Sequence, residues 1–157
     1  MTDASAKQRI VLGSDHAGFR LKQFIKTYLQ SAGYPVNDIG TNSEASVDYP
    51  DFGGAAARLV ASGQSDVGIV ICGTGIGVSI AANKIAGVRA ALVADLETAH
   101  LAREHNDANV LALAGRRLSD DQAISIVQAF LSTPFAGGRH ERRLEKIAQL
   151  DRAREQR

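Results

Sequence analysis

The residue with the clearest chemical potential in this chain is Cys72, the single cysteine, which stands between an apolar run and a glycine-rich turn. The segment reads Val67-Gly-Ile-Val-Ile-Cys72-Gly-Thr-Gly-Ile-Gly77. The run is typical of a buried strand, and residues 76–86 are predicted to be helical. Backbone N–H groups that gather at such a strand-to-helix turn stabilise a thiolate and bind anions. A lone cysteine is more often inert, but this position favours chemistry.

Two histidine-containing segments are candidates for proton transfer. Asp15-His16 follows the first apolar run, and a carboxylate beside an imidazole at a strand end suits proton transfer or the binding of a hydroxyl-rich ligand. Alternatively, Asp15 caps the helix that begins near Phe19. His105-Asn106-Asp107 follows a short predicted helix, where a histidine is more often a cap that complements the helix dipole. His105 can act as a second catalytic imidazole only if it faces the same edge as Cys72.

A basic cluster near the end of the chain is a candidate phosphate site. Arg139 and Arg143 are four residues apart, so on a helix they lie on neighbouring turns and can converge on one phosphate. Arg116, after the fifth predicted strand, can supply a third guanidinium. The alternative is a solvated charged face, and we assign that role to the remaining basic residues of the tail, which are Arg142, Lys146, Arg152 and Arg154.

The turn Gly73-Thr-Gly-Ile-Gly77 is compatible with several kinds of site. Its glycines let the backbone approach an anion or an enolate oxygen. It lacks the Lys-Ser/Thr ending of a P-loop, and position 78 is Val where a Cys-x5-Arg phosphatase needs Arg. Three alternatives stay open: a dinucleotide site with Asp95 on the ribose, a cysteine hydrolase with Cys72 as nucleophile, and a purely structural turn.

The composition indicates one small domain and limits its partners. The chain has 157 residues, 45% of them hydrophobic, and a formal net charge of +1, which gives no field for nucleic acid or acidic membrane. One cysteine fits a reducing compartment, and no apolar stretch is long enough to span a bilayer. Metal ligands are not clustered. We therefore expect a cytoplasmic protein that binds neither nucleic acid, nor membrane, nor metal.

Short apolar runs alternate with amphipathic segments along the chain. Strands are predicted at 10–13, 35–39, 67–71, 89–93 and 110–114, and helices at 19–32, 48–62, 76–86, 96–104, 119–132 and 140–154. Asp51 is a candidate cap of the second helix, and Ser119-Asp-Asp-Gln122 matches a capping box. The pattern predicts an α/β fold: a three-layer, doubly wound (Rossmann-like) sandwich with a five-stranded parallel sheet and a C-terminal helix. Ligands of such sheets bind at the carboxyl ends of the strands.

Six motifs spread along the chain are far more specific together than any one of them alone. They are Gly-Ser-Asp-His-Ala-Gly (13–18), Asp-Tyr-Pro (48–50), Cys-Gly-Thr-Gly-Ile-Gly (72–77), Ser-Ile-Ala-Ala-Asn-Lys (79–84), His-Asn-Asp-x-Asn-Val-Leu (105–111) and Gly-Gly-Arg-His (137–140). In this order the chain resembles the type B ribose-5-phosphate isomerases, within a sugar-phosphate isomerase family that includes allose- and galactose-6-phosphate isomerases. The resemblance extends from Ile10 to about residue 150.

The resemblance implies roles for the candidate residues. Cys72 is expected to be the catalytic base of an aldose–ketose isomerisation through a cis-enediolate, in a branch that uses a thiol rather than a glutamate. His105 is expected to open the furanose ring, and Thr74 to stabilise the enediolate together with the backbone N–H groups. The implied substrate-binding residues are Asp15, His16, Gly73, Thr74, Gly75, Ile76, Gly77 and Asn106, with Arg116, Arg139 and Arg143 on the phosphate.

The resemblance also implies ribose 5-phosphate and ribulose 5-phosphate as substrates, no cofactor, and a homodimer or homotetramer with its active site at the subunit interface. A six-carbon substrate such as allose 6-phosphate is the main alternative, ahead of a dinucleotide-binding module. We expect residues 1–8 to form a flexible extension, residues 9–150 the isomerase domain, and residues 151–157 a charged tail.

Overall fold

The structure, a computed structural model, describes residues 6–157, which contain five strands and six α-helices. In chain order they are β1 (Ile10–Ser14), α1 (Phe19–Ser31), β2 (Val36–Asp38), α2 (Tyr49–Ala61), β3 (Val67–Cys72), α3 (Ile76–Ala82), β4 (Ala90–Leu92), α4 (Leu96–Glu104), β5 (Val110–Ala114), α5 (Asp120–Ser132) and α6 (Arg139–Glu155). The strands form one parallel sheet in the order β2-β1-β3-β5-β4. The predicted fold class is confirmed.

Two apolar clusters, one on each face of the sheet, hold the three layers together. Ile10 and Leu12 of β1 point to the face covered by α1, α4 and α5, whereas Val11 points to the face covered by α2 and α3. Every residue of β1, β3 and β5 is buried, which explains why these strands are almost continuously apolar in sequence. Full burial of each large aliphatic side chain contributes about 1.5–3 kcal/mol.

The helix boundaries follow local signals where those are strong. The capping box of α5 is confirmed, because the Ser119 hydroxyl accepts from Gln122 N–H and the Gln122 side chain accepts from Ser119 N–H. The prediction that Asp51 caps α2 is wrong. The helix begins at Tyr49, since Pro50 lacks an N–H and fits the first turn, and Asp51 therefore lies inside that turn.

Helix α3 is shorter than predicted and ends at Ala82. The following Asn83 turns the chain toward β4, because its side-chain amide donates to the carbonyl of Ala90 at 2.9 Å and accepts from the N–H of Ala90 at 2.8 Å. This bridge fixes the end of α3 beside the edge strand of the sheet.

Helix α6 (Arg139–Glu155) matches the predicted helix 140–154 to within one residue at each end, so it runs through the domain boundary predicted at residue 150. The Asp151 carboxylate accepts from the N–H of Gly87 at 2.8 Å, and the Arg154 guanidinium donates to the carbonyl of Lys84 at 3.0 Å. At the other end, residues 1–5 of the expected extension lie outside the described residues. None of the described helices has the length and apolar character that crossing a membrane requires.

Candidate active site

Cys72 is the last residue of β3, at the carboxyl edge of the sheet and beside Ala114 of β5. Its thiol is free and its side chain is 4% exposed. The chain then turns through Gly73–Gly77, here named the Cys72 loop, and enters α3 at Ile76. The N–H of Gly115 donates to the Cys72 carbonyl at 2.8 Å, which ties the end of β3 to the turn after β5. The thiol therefore lies at the ligand-binding edge that the fold class predicts.

Two glycines of the Cys72 loop are required by their surroundings. Gly75 has φ +74°, and a Cβ there would lie 2.5 Å from Leu92 Cδ1 and 3.0 Å from the carbonyl carbon of Leu113. A Cβ on Gly77 would lie 2.5 Å from Cζ of the Tyr49 ring. The loop is thus pressed between β4, β5 and the start of α2, so its backbone conformation is closely determined.

The backbone of this loop presents free hydrogen-bond donors next to the thiol. Thr74 Oγ1 accepts from the N–H of Ile76 at 3.2 Å. Within residues 6–157, the N–H groups of Gly73, Thr74 and Gly75 have no acceptor. Successive N–H groups in a glycine turn form a concavity that favours a negatively charged oxygen. The arrangement suits a reaction in which such an oxygen develops within reach of Cys72.

Asp15 and His16 lie beside Cys72 because β1 is the neighbour of β3. The N–H of Asp15 donates to the Ile71 carbonyl at 3.2 Å. The Asp15 carboxylate accepts from the N–H of Gly18 at 3.1 Å, so it caps the short 3-10 turn His16–Gly18 rather than α1 itself. His16 Nδ1 lies 3.2 Å from both N and O of Val47, and it accepts from the Val47 N–H when the ring proton is on Nε2.

Arg116 and Tyr49 complete this edge. The N–H of Arg116 donates to the Gly73 carbonyl at 3.1 Å, and Arg116 Nη1 lies 3.3 Å from the position a Cβ of Gly73 would take. Tyr49 was missed as a site residue, although its Asp-Tyr-Pro motif carried part of the resemblance. We define the carboxyl-edge group as Asp15, His16, Tyr49, Cys72, the Cys72 loop and Arg116.

His105 and Asn106 lie at the opposite edge of the sheet. Helix α4 leaves the carboxyl end of β4 and returns to the amino end of β5, and His105 follows its last residue. Cys72 pairs with Ala114 at the carboxyl end of β5, whereas His105 lies near the amino end of that strand. The length of β5, about 13 Å, therefore separates His105 from the level of Cys72. Within one chain the structure does not bring His105 to the Cys72 edge.

Arg139 and Arg143 join His105 through the packing of the first turn of α6. The His140 ring stacks on the His105 ring with centroids 4.3 Å apart and an angle of 16° between the planes. Arg139 and Arg143 occupy the same turn and the next one, and both are exposed. We define the amino-edge group as His105, Asn106, Arg139, His140 and Arg143. His140 was another residue quoted in a motif without a role.

Charged side chains hold the turn that carries His105 and Asn106. Arg89 Nε donates to the carbonyl of Asn106 at 3.1 Å, and Arg103 pairs with the Asp107 carboxylate at 2.9 Å. Asp107 has a positive φ of +43°, and the contacts with Arg89 and Arg103 hold it in this conformation.

A groove of about 430 Å³ lies between β4, α4 and α6. Asn106 lines this groove, whereas Cys72 does not.

Asp95, the expected ribose ligand of a dinucleotide site, has another role. Its carboxylate accepts from the N–H of Thr98 at 2.7 Å and from the Thr98 hydroxyl at 2.8 Å, which caps α4. These bonds hold the pKa of Asp95 below its ordinary value, the backbone donor having the larger effect. A ribose hydroxyl would have to compete with the cap, which weakens the dinucleotide hypothesis.

No group of three or more His, Cys, Asp or Glu in residues 6–157 is arranged to hold a metal ion.

An apolar patch flanks the Cys72 loop. Its members are Ile76 and Ile80 on one face of α3, Leu92 at the end of β4, and Leu96 at the start of α4, each between 43% and 55% exposed. Leu92 lies directly against Gly75. Large exposed apolar side chains grouped in one region favour association with another surface.

Comparison with known proteins adds independent findings. The family model described as Ribose/Galactose Isomerase matches residues 10–147. Ribose-5-phosphate isomerase B of Escherichia coli is 45% identical over 94% of this chain and 99% of its own. The crystal structure of the Mycoplasma genitalium isomerase B with bound ribulose-5-phosphate is 46% identical, with a TM-score of 0.89 over 92% of this chain and 96% of that one. The Clostridium thermocellum isomerase B is 50% identical, with a TM-score of 0.91 over 92% and 98%.

Proposed function

We propose that this chain, which belongs to the ribose/galactose isomerase family, interconverts ribose 5-phosphate and ribulose 5-phosphate. The family membership confirms the resemblance carried by the six motifs. The observation that carries the specific proposal is the position of Cys72. Its thiol is free and buried at the carboxyl edge, next to three loop N–H groups that have no acceptor in the described part of the chain. The relatives named above act on, or bind, the pentose phosphates that their names state.

The proposed chemistry is a proton transfer between neighbouring carbons. The Cys72 thiolate removes the proton from C2 of the open aldose, and the electron pair moves onto the C1 oxygen to form a cis-enediolate. The thiol then returns the proton to C1 while the hydroxyl proton passes from O2 to O1, which gives the ketose. No electrons leave the substrate, so the reaction itself needs no redox cofactor. The loop N–H groups and Thr74 stabilise the enediolate, and one such donor is worth about 10²–10³-fold in rate.

The substrate reaches Cys72 as a closed ring, and ring opening needs a second acid–base group. His105 suits that role chemically, but it lies at the opposite edge of its own sheet. We therefore propose that His105 and Asn106 of a second copy meet the carboxyl-edge group across a twofold interface. A closed dimer of this kind assembles two complete sites at once. The apolar patch beside the Cys72 loop supports such contact, since burying it removes Ile76, Ile80, Leu92 and Leu96 from water.

The phosphate is then held by arginines from both copies. Arg116 lies against the Cys72 loop, and Arg139 and Arg143 of the second copy arrive with its His105. Guanidinium groups bind phosphate oxygens in a bidentate manner. The phosphate is remote from C1 and C2, so its binding energy fixes the reacting carbons near the thiolate and lowers the barrier.

The test is conversion of ribose 5-phosphate by the purified protein, without added metal, for the wild type and for Cys72→Ala and Cys72→Ser. Both variants are expected to lose about 10²–10⁴-fold in kcat, because serine restores the size of the side chain but not an accessible anion. Unchanged far-ultraviolet circular dichroism verifies the fold. Full turnover by Cys72→Ser would exclude Cys72 as the base, and no turnover by the wild type would refute the activity.

The shared site has its own test, in which Cys72→Ala and His105→Ala proteins are mixed after unfolding and refolded together. Each variant alone is inactive, but a mixed dimer contains one site with both groups intact. Random pairing therefore restores about one quarter of the wild-type activity. In a control mixture, His100→Ala replaces His105→Ala, because His100 lies on α4, which ends just before His105, and its ring contacts Thr133. Absence of recovery, with dimers present, would contradict the shared site.

A six-carbon sugar phosphate is the second candidate substrate, because the matching family description includes galactose isomerases. Ribose 5-phosphate and allose 6-phosphate differ by one hydroxymethylene group. A pocket that merely accommodates or excludes one such group discriminates about 10–200-fold in kcat/KM. The ratio of the two kcat/KM values decides between the candidates, and a ratio that favours allose 6-phosphate would overturn the pentose assignment while leaving the proposed chemistry in place.

A further inference from the structure

His140 forms a stacked pair with His105, and the sugar-isomerase chemistry described above does not use it. The rings are 4.3 Å apart, and His140 is 9% exposed, whereas His105 is more open to solvent. The neighbouring charged groups are Glu104 on α4 and Arg139 and Arg143 on α6. The pair therefore lies between one carboxylate and two guanidinium groups, in the part of the chain proposed to bind phosphate.

We propose that His140 is a positioning residue for His105, and that the stacked pair takes up a proton when a phosphate group binds to Arg139 and Arg143. The rings must share their protons, because two imidazolium ions at this distance repel each other. His140 is the ring that stays neutral: burial, then the charges of His105, Arg139 and Arg143, lower the pKa of His140 against the opposing effect of Glu104. A neutral, buried His140 supplies a fixed surface on which the His105 ring stacks.

The coupling to phosphate follows from the same charges. In the free protein, the two guanidinium groups disfavour a positive charge on the His140 ring, which is stacked on His105. A bound phosphate dianion cancels that repulsion and itself attracts an imidazolium ion, so phosphate and proton bind cooperatively. The catalytic value of this linkage rests on the proposed function, since an imidazolium is the form of His105 that donates a proton to a ring oxygen. Binding of the substrate phosphate would then favour the protonated form of the histidine pair, which is the form that opens the substrate ring.

The experiment is a nuclear magnetic resonance titration of the histidine Cε1–H signals between about pH 5 and pH 8. Sodium sulfate is the probe, because it is a tetrahedral dianion that does not titrate in this range, and sodium chloride at equal ionic strength is the control. The chain has four histidines, and His105→Asn and His140→Phe assign the two signals. We expect sulfate to raise the midpoint of His105 by at least about half a unit. We expect His140 to titrate at higher pH in His105→Asn than in the wild type.

The arginine origin of the effect is tested with Arg139→Gln/Arg143→Gln, in which sulfate is expected to leave both midpoints unchanged. Turnover measurements test the positioning role. His140→Phe keeps an aromatic surface for His105 but cannot take up a proton. We therefore expect kcat and the acidic limb of its pH profile to shift, while KM changes less than twofold. Midpoints that do not respond to sulfate in the wild type, or a His140 midpoint indifferent to His105→Asn, would overturn the proposal. The titration needs no turnover, so its failure is distinguishable from failure of the isomerase assignment.

Discussion

The buried ion pair between Lys22 and Asp38 is the feature whose loss the fold should tolerate least. Lys22 is fully buried, and its Nζ lies 2.7 and 2.8 Å from the two carboxylate oxygens of Asp38, which is 9% exposed. Substitution Lys22→Met keeps the length of the apolar stem and removes the charge. The Asp38 carboxylate is then left with Lys26 Nζ at 3.1 Å and the N–H of Gly40 at 3.0 Å.

The expected cost follows from what remains around Asp38. Removing one partner of a buried ion pair costs about 3–5 kcal/mol, because the other charge stays buried without compensation. Lys26 and Gly40 compensate in part, so we expect Lys22→Met to lower the free energy of unfolding by about 3 kcal/mol. Adding Asp38→Asn removes the second charge while keeping an acceptor for the Gly40 N–H. The double variant should therefore recover more than half of the loss.

The assay is urea unfolding at pH 7, monitored by circular dichroism, with the wild type and Lys26→Met measured alongside. Lys26 pairs with the same carboxylate, but its side chain is 33% exposed, so its replacement should cost less than about 1 kcal/mol. Both lysines contact Oδ2 of Asp38, but only the buried Lys22 also contacts Oδ1, so the comparison sets a buried, two-oxygen contact against a partly exposed, single contact. A loss in Lys22→Met no larger than that in Lys26→Met would refute the reasoning.

The same pair gives a pH dependence with a defined sign. Burial raises the pKa of Asp38, but the hydrogen bonds from Lys22, Gly40 and Lys26 outweigh it, so that the pKa lies below its ordinary value of 3.8. A carboxyl with a lowered pKa stabilises the fold above its unfolded-state pKa, and this contribution is lost as the pH falls through the folded-state value. The stability difference between the wild type and Lys22→Met should therefore narrow as the pH falls below 3.8.

Three further perturbations have defined outcomes. Gly75→Ala should unfold at markedly lower urea than Gly63→Ala, because the two glycines have similar φ of +74° and +76° but only Gly75 lacks room for a Cβ; equal midpoints would contradict the packing argument. Ser119→Ala should lower the free energy of unfolding by about 1 kcal/mol through loss of the α5 cap, and an unchanged thermal midpoint would count against it. The pKa of His140 lies below its ordinary value of 6.5, so protonation of His140 opposes folding. The free energy of unfolding of the wild type, relative to that of His140→Phe, should therefore fall as the pH drops below 6.5, and urea titrations at several pH values check this.

Elements specified by local sequence were predictable almost to the residue. Helix α4 and strand β5 lie where the pattern predicts them, and Ser119 begins the capping box that starts α5. The error at Asp51 is also local, because the proline before it moved the start of α2 toward the N-terminus. The parallel sheet followed from the alternation of buried runs and helices.

Features that depend on approach between distant segments were not predictable in the same way. Tyr49 enters the site because its ring meets Gly77, which is remote in sequence, and His140 does so because α6 folds back onto α4. A catalytic role for His105 was predicted only if it faced the same edge as Cys72. Within one chain the topology places it at the opposite edge. The roles of the individual site residues stay predictions.

The separation of the carboxyl-edge and amino-edge groups has an evolutionary consequence. In the proposed dimer each site draws its base from one copy and its ring-opening histidine from the other, so the two groups are inherited on one gene but used in different molecules. After a gene duplication, one copy can lose Cys72 and the other His105, and the pair retains one working site. Selection would then keep both genes together, and an enzyme of two unlike, mutually dependent subunits could arise by loss of residues alone.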